Sequence, residues 1–140
     1  MIKDYTTILI NASALSKNQF FDDFKPFSEK AKGKYELIWA SNDAGFAREL
    51  PFRRMVMKRC FNKTFFGENV NLLLPNLSFF DYILDETKKS PQECIYIDTV
   101  SENLLAAEEV GLSPILLDIG NEHYYGMAIR SFSELWSIIG

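Results

Sequence analysis

Short unbroken apolar runs alternate along the chain with segments whose apolar residues recur every three or four positions. The first run, Thr6 to Ile10, is β-branched and leucine-rich and predicts a strand buried on both faces. Phe20, Phe21, Phe24 and Phe27 follow at helical spacing and predict a helix from Asn18 to Lys32, with Pro26 near one end or at a kink. Gly33 closes it. Tyr35 to Ala40 reads as the second strand, and Ser41 or Asn42 is placed to cap a short helix over 44–50. Phe52 to Cys60 reads as a further helix and Phe61 to Phe66 as the third strand, with Gly67-Glu68-Asn69 as a turn. Pro75-Asn76 opens a helix over 77–87.

The clearest stretch is Glu93 to Asp118. Cys94 to Ile97 is a β-prone run that ends on Asp98. A polar loop from Thr99 to Glu102 leads into a helical stripe of Leu104, Leu105, Ala107 and Val110, stopped by Gly111. Ile115 to Leu117 is a second buried run. This is a βαβ unit with an acid at the carboxyl edge of its sheet, where open α/β sheets hold their chemistry. A last amphipathic helix is expected from Ser133 to Ile139, capped by Ser131 or Ser133, with Leu135, Trp136, Ile138 and Ile139 on the core. Trp39 is also assigned to the core. The alternation predicts a three-layer α/β/α sandwich around a Rossmann-like parallel sheet, as a single domain over 1–140.

Composition narrows the function classes. A chain of 140 residues, 47% hydrophobic and with twelve phenylalanines, holds a real core and is not disordered. A net charge of −4 argues against a nucleic-acid or anionic-membrane surface. Arg53, Arg54, Lys58 and Arg59 form the one dense basic cluster, read first as the solvated face of a helix. Cys60 and Cys94 lie far apart in apolar surroundings, as buried free thiols do. His123 stands alone and lacks the neighbours a metal site needs. The opening residues carry no signal-peptide pattern, and no run approaches the ~20 apolar residues that span a bilayer. The expectation is a soluble, cytoplasmic protein.

The residues from Pro91 to Asp118 carry a resemblance. Asp98, Asn103, Ala107 and Gly111 stand at the spacing of the fourth motif of the haloacid dehalogenase (HAD) superfamily. Pro75 and Phe79-Phe80 match the helix that precedes that strand in the family, and Ser41-Asn42 resembles its second motif. The resemblance implies a HAD-like core and the chemistry of phosphoric-ester hydrolases. In that family an Asp attacks phosphorus, and a second Asp two residues on is the general acid/base. A Ser or Thr binds the phosphoryl oxygens, a Lys neutralises charge, and further acids hold Mg²⁺.

Carried over position by position, the resemblance puts Asn11 at the nucleophile, Ser13 at the general acid, Leu74 at the lysine and Thr99 at the second acid of motif four. Lys88 and Lys89 fall at the far end of the helix. What remains is Ser41 with Asn42 as a vestigial phosphate site, and Asp98 with Glu102 as the metal-binding pair. Only about thirty residues separate Asn11 from Ser41, and a similar length Ser41 from Leu74, so neither insertion point holds a cap. The sequence therefore predicts a capless HAD-like pseudoenzyme with no cofactor. It would bind a protein partner or itself, and neither nucleic acid nor membrane. The alternative is a divergent Mg²⁺-dependent phosphatase or hydrolase built on Asp98 and Glu102, acting on a small phosphorylated ligand. A receiver-like domain is disfavoured because the first strand ends at Asn11 without an acid pair. Apart from catalysis, Asp98 could serve to cap the next helix or to satisfy loop donors. Tyr124-Tyr125 with His123, and Phe65-Phe66, are the candidate interface aromatics.

Overall fold

A computed structural model describes residues 4–120 and 122–140. Among the described residues there are six strands: β1 (Thr7–Ile10), β2 (Glu36–Ser41), β3 (Lys63–Phe66), β4 (Cys94–Asp98), β5 (Ser113–Leu117) and β6 (Ala128–Ile129). All pair in parallel, in the order β3-β2-β1-β4-β5-β6. Because successive side chains leave a strand on opposite faces, each run feeds two cores. Ile8, Ile10, Leu37, Trp39, Ile95 and Ile97 face one, and Leu9, Ile38, Ala40, Tyr96 and Leu116 face the other.

Helices cover both faces. Gln19–Phe24 winds as a π-helix into α1 (Lys25–Ala31), and the Lys25 N–H donates to the Phe20 carbonyl. Pro26, which has no N–H to give, sits at the junction where the π-helix passes into α1. This arrangement buries Phe20, Phe24 and Phe27 together. Phe24 stacks on Phe61 at 5.1 Å and meets Phe132 edge-on at 5.0 Å. The connection from β2 to β3 carries α2 (Pro51–Arg59), and β3 is followed by a single turn, α3 (Gly67–Val70). The other face is covered by α4 (Leu77–Thr87), whose Asn76 side chain caps the Ser78 N–H, and by α5 (Ser101–Val110), closed by Gly111 at φ 110°. The chain returns to the first core with a 3₁₀ turn (Phe132–Leu135) and α6 (Trp136–Ile139). Trp136 packs on Phe27 at the edge of this layer.

The expected strands and long helices are present; the short elements differ. The helix expected over 44–50 is a 3₁₀ turn, Gly45–Ala47. Gly45 takes φ 60°, which an α-helix cannot continue through, and its N–H is held by Asp43 Oδ1 at 2.8 Å. The turn expected at Gly67 is the helical turn α3. The terminal helix divides in two, and neither Ser131 nor Ser133 caps it: their hydroxyls pair with each other at 2.9 Å. The two-residue β6 is too short to leave a periodic signal. Cys60 and Cys94 are buried and unpaired, and burial pushes the Cys94 thiol up to about 12. Among the described residues no helix is long and apolar enough to cross a membrane.

The aromatic cluster fixes one stability expectation. Phe24→Ala should cost about 3–5 kcal/mol in urea unfolding, because it opens a cavity among rings that cannot collapse into it. Phe52→Ala, at a ring 72% exposed, should stay within about 0.5 kcal/mol.

Candidate functional site

The chain builds β1, β2 and β3 outward in one direction and then returns to lay β4 on the other side of β1. The carboxyl ends of β1 and β4 therefore flank a topological switch point, the crevice where α/β sheets bind ligands. Three polar residues end on it. Asn11 follows β1, Ser41 is the last residue of β2, and Asp98 is the last of β4. All three are buried, Asp98 with 1% exposure and Ser41 with none.

They form one hydrogen-bonded unit. Asn11 Nδ2 donates to Asp98 Oδ2 at 2.9 Å, and Asn11 Oδ1 accepts from the Ser41 hydroxyl at 2.6 Å. The amide orientation follows from chemistry, since an ionised carboxylate only accepts. Ser41 Oγ in turn accepts the Trp39 indole N–H at 2.9 Å and the Ser13 backbone N–H at 3.3 Å. Around Asp98, Oδ2 also accepts the Tyr96 hydroxyl at 2.5 Å and Asn103 Nδ2 at 2.9 Å. Oδ1 accepts the backbone N–H groups of Thr99 at 2.6 Å and Val100 at 3.1 Å. Five donors thus converge on one carboxylate.

Burial and hydrogen bonding act on Asp98 in opposite directions. Loss of water raises its pKa, while the Tyr96, Asn11 and Asn103 side chains and the Val100 N–H pull it down; the net displacement is upward from the ordinary carboxylate value. Tyr96 is driven far above the usual phenol value by burial first and by the neighbouring Asp98 charge second, so it stays a neutral donor.

The surrounding loops close over this unit. The Ser13 hydroxyl donates to the Asp43 carbonyl. A Cβ on Gly45 would lie 2.8 Å from Ser13 Cβ, so the 43–47 loop rests directly on Ser13 and only glycine fits there. Asn42 Oδ1 accepts the Leu74 N–H at 2.7 Å, tying the end of β2 to the start of the segment before α4.

No protein-family model matches the sequence, and neither does any curated protein. Solved structures do match. A HAD phosphatase from Thermococcus onnurineus superposes with a TM-score of 0.73 at 21% identity, over 86% of this chain and 58% of its own. A 2-haloacid dehalogenase from Pseudomonas syringae pv. Tomato gives 0.73 at 15% identity, over 85% and 52%. An uncharacterized protein from Corynebacterium glutamicum gives 0.69 at 18% identity, over 98% of this chain and 96% of its own. The fold is HAD-like. This chain spans between half and three-fifths of the length of the phosphatase and the dehalogenase.

Within the HAD-like frame each sequence-predicted position can be placed. Asn11, Ser13, Ser41 and Asp98 come together as one connected set. Asn42 follows Ser41 in the chain, but its side chain holds the Leu74 N–H and not that set. Neither Ser41 nor Asn42 caps a helix, contrary to the expectation for them, because both side chains are spent on the network and on the Leu74 backbone. Leu74 is buried in the second core, where a charged side chain would lack partners. Lys89 pairs with Glu36 at 3.2 Å, at the amino edge of the sheet and away from Asp98. Glu102 lies exposed on the first turn of α5 and is not among the groups that contact Asp98. Among the described residues no group of three or more His, Cys, Asp or Glu side chains is placed to hold a metal ion. Arg48, the first cation after Ser41 in the chain, is engaged by Glu68 at 2.9 Å and Asp43 at 3.4 Å.

Two participants and one neighbouring contact escaped the sequence reasoning. Trp39 reads as core and Tyr96 goes unremarked in the β-prone run, yet each stands two residues before the polar strand end it serves, and residues i and i+2 share a face of a strand. That spacing is the signal that could have found them. Glu122 accepts the Ser101 N–H at 3.0 Å from 21 residues away, and no local pattern announces such a contact.

Removing the acceptor exposes the network's energetics. Asp98→Asn leaves at least two of the five donors facing a donor and should cost about 2–4 kcal/mol. Because the folded-state pKa of Asp98 is raised, the folded chain binds a proton more readily than the unfolded one between the two values. Its contribution to stability is therefore largest at low pH and is lost as pH rises through that window. The stability margin of the native chain over Asp98→Asn should widen on acidification in paired thermal melts; a margin independent of pH would contradict the raised value.

Proposed function

We propose that this chain is a single HAD-like domain without a cap, that it has given up phosphoryl-transfer chemistry, and that it works by binding a protein partner or another copy of itself in the cytoplasm. The observation that carries the reading is Asn11. It stands where a HAD-like nucleophile would stand, and its amide bridges Ser41 and Asp98. An amide nitrogen is not a nucleophile, and its carbonyl oxygen is already engaged by Ser41. Ser13 at the acid position is held by the 43–47 loop and does not titrate near neutral pH. Leu74 supplies no charge to stabilise a phosphoryl group.

The same geometry speaks against Mg²⁺. A cation ligand needs lone pairs directed into an open shell of oxygens. Both Asp98 oxygens are already turned toward N–H and O–H donors, which is the arrangement that suits an anion held without a metal. Asn11 Nδ2 presents a partial positive charge to Asp98, where a second carboxylate would need a cation between the two. The exchange of Asp for Asn thus fits a site stabilised by hydrogen bonds alone, and the set of residues present does not fit the metal.

Two measurements test this. Incubation with Mg²⁺ and a panel of aryl phosphate and nucleotide substrates should release no phosphate above buffer. Turnover that chelation and Glu102→Gln both abolish would overturn the reading and restore the Asp98–Glu102 hydrolase. In the second, Asn11→Asp should become less stable than the native chain and regain part of that loss with millimolar Mg²⁺, while the native melting temperature stays indifferent to the ion. Stabilisation of the native chain by Mg²⁺ would count against a metal-free site.

A further inference from the structure

We propose that α2 is a docking surface and that its occupant is a protein segment bearing acidic and large apolar side chains; this deepens, and rests on, the reading that the chain acts by binding. Of the nine residues in α2 only Met57 is buried. Phe52 is 72% exposed, Met55 42%, and Leu50 at the N-cap 43%. Phe52 and Met55 stand three residues apart and share a face.

Around these apolar groups lie Arg53, Arg54, Lys58 and Arg59, with no acid in the helix. Outside α2 four cations pair with acids, Lys25 with Glu29, Arg48 with Asp43 and Glu68, and Lys63 and Lys89 with Glu36, while others such as Lys17 and Arg130 do not among the described residues. None of the four α2 cations forms an ion pair with the described residues. Arg54 Nη2 donates to the Arg48 carbonyl at 3.0 Å, and the Lys58 and Arg59 side chains lie along apolar groups. Arg59 Nη2 is 3.8 Å from Met55 Sδ, and Lys58 Nζ sits 5.8 Å from the Phe66 ring centre. Between Pro51, Arg54, Met55 and Lys58 an open groove of about 390 Å³ remains.

Four like charges on one short helix repel, and a phenylalanine ring in water contributes nothing to folding. One kind of partner relieves both: an anionic segment with bulky apolar side chains. A symmetric pairing of two α2 helices would set cations against cations. A nucleic-acid backbone offers no apolar cleft for Phe52 and Met55. An anionic bilayer meets the whole chain, whose net charge of −4 opposes approach, whereas a peptide segment engages α2 alone.

The test is fluorescence anisotropy with a labelled amphipathic peptide carrying glutamates on one face and leucine and tryptophan on the other. The probes compared with it are the same peptide with lysine for glutamate, phosphatidylserine vesicles and a single-stranded oligonucleotide. Saturable binding of the acidic peptide is expected, weakened roughly tenfold or more by the pair Lys58→Glu with Arg59→Glu, by Phe52→Ser, and by raising salt from about 0.05 to 0.5 M. The lysine peptide should not bind. Absence of saturation, unchanged affinity in the charge-reversed variant, or tighter binding of vesicles or oligonucleotide would each overturn the assignment. These positions are at least partly exposed, and circular-dichroism melts confirm that the variants fold. The phosphate-release assay on the native chain reads out separately: turnover there removes the pseudoenzyme while leaving the α2 affinities as measured.

Discussion

A carboxylate taken out of water must be met by donors, and at Asp98 this requirement shapes the carboxyl edge of the sheet. The cost of stripping solvent from a charged group is several kcal/mol, so an isolated carboxylate at this depth would not be tolerated. Here Asn11, Tyr96, Asn103 and the first two N–H groups of the following loop share the task. The parallel order of β1 and β4 makes it feasible, since only neighbouring strands deliver both Asn11 and Asp98 to the same crevice. Packing below supports the geometry: Phe80 meets the Tyr96 ring edge-on at 4.9 Å and fixes where its hydroxyl points.

The architecture was largely legible in the residues. Continuous apolar runs announced the strands, and the stripe from Leu104 to Val110 with its glycine stop announced α5, because these signals are local and repeated. The resemblance in spacing across Asp98, Asn103, Ala107 and Gly111 pointed to the HAD-like fold, and the superposition on solved structures agrees. What was not legible depends on side chains meeting across long separations. Ser41 was drawn away from capping by Asn11, thirty positions back in the chain. Hydrogen bonds of that kind leave no period in the sequence. The i and i+2 relation of Tyr96 to Asp98 and of Trp39 to Ser41 lay within reach, but an aromatic in a strand reads first as core.

The exposed aromatics divide differently from the initial expectation. Phe66 is buried and Phe65 packs on Tyr82 at 6.1 Å, so this pair belongs to the fold. Tyr124 packs against the second core and Tyr125 projects into solvent. The basic cluster first read as a solvated helix face gains a different meaning from Phe52 and Met55, which a charge count alone does not reveal.

The hydrogen bonds that run from Trp39 to Asp98 all point one way. Indole nitrogen gives to hydroxyl, hydroxyl gives to amide carbonyl, and amide nitrogen gives to carboxylate. Trp39 can only donate and an ionised Asp98 can only accept, so neither end permits reversal. Dipoles aligned in series polarise one another. The series therefore turns the positive end of its aligned dipoles toward Asp98, and the buried Trp39 indole of β2 helps to hold a negative charge two strands away.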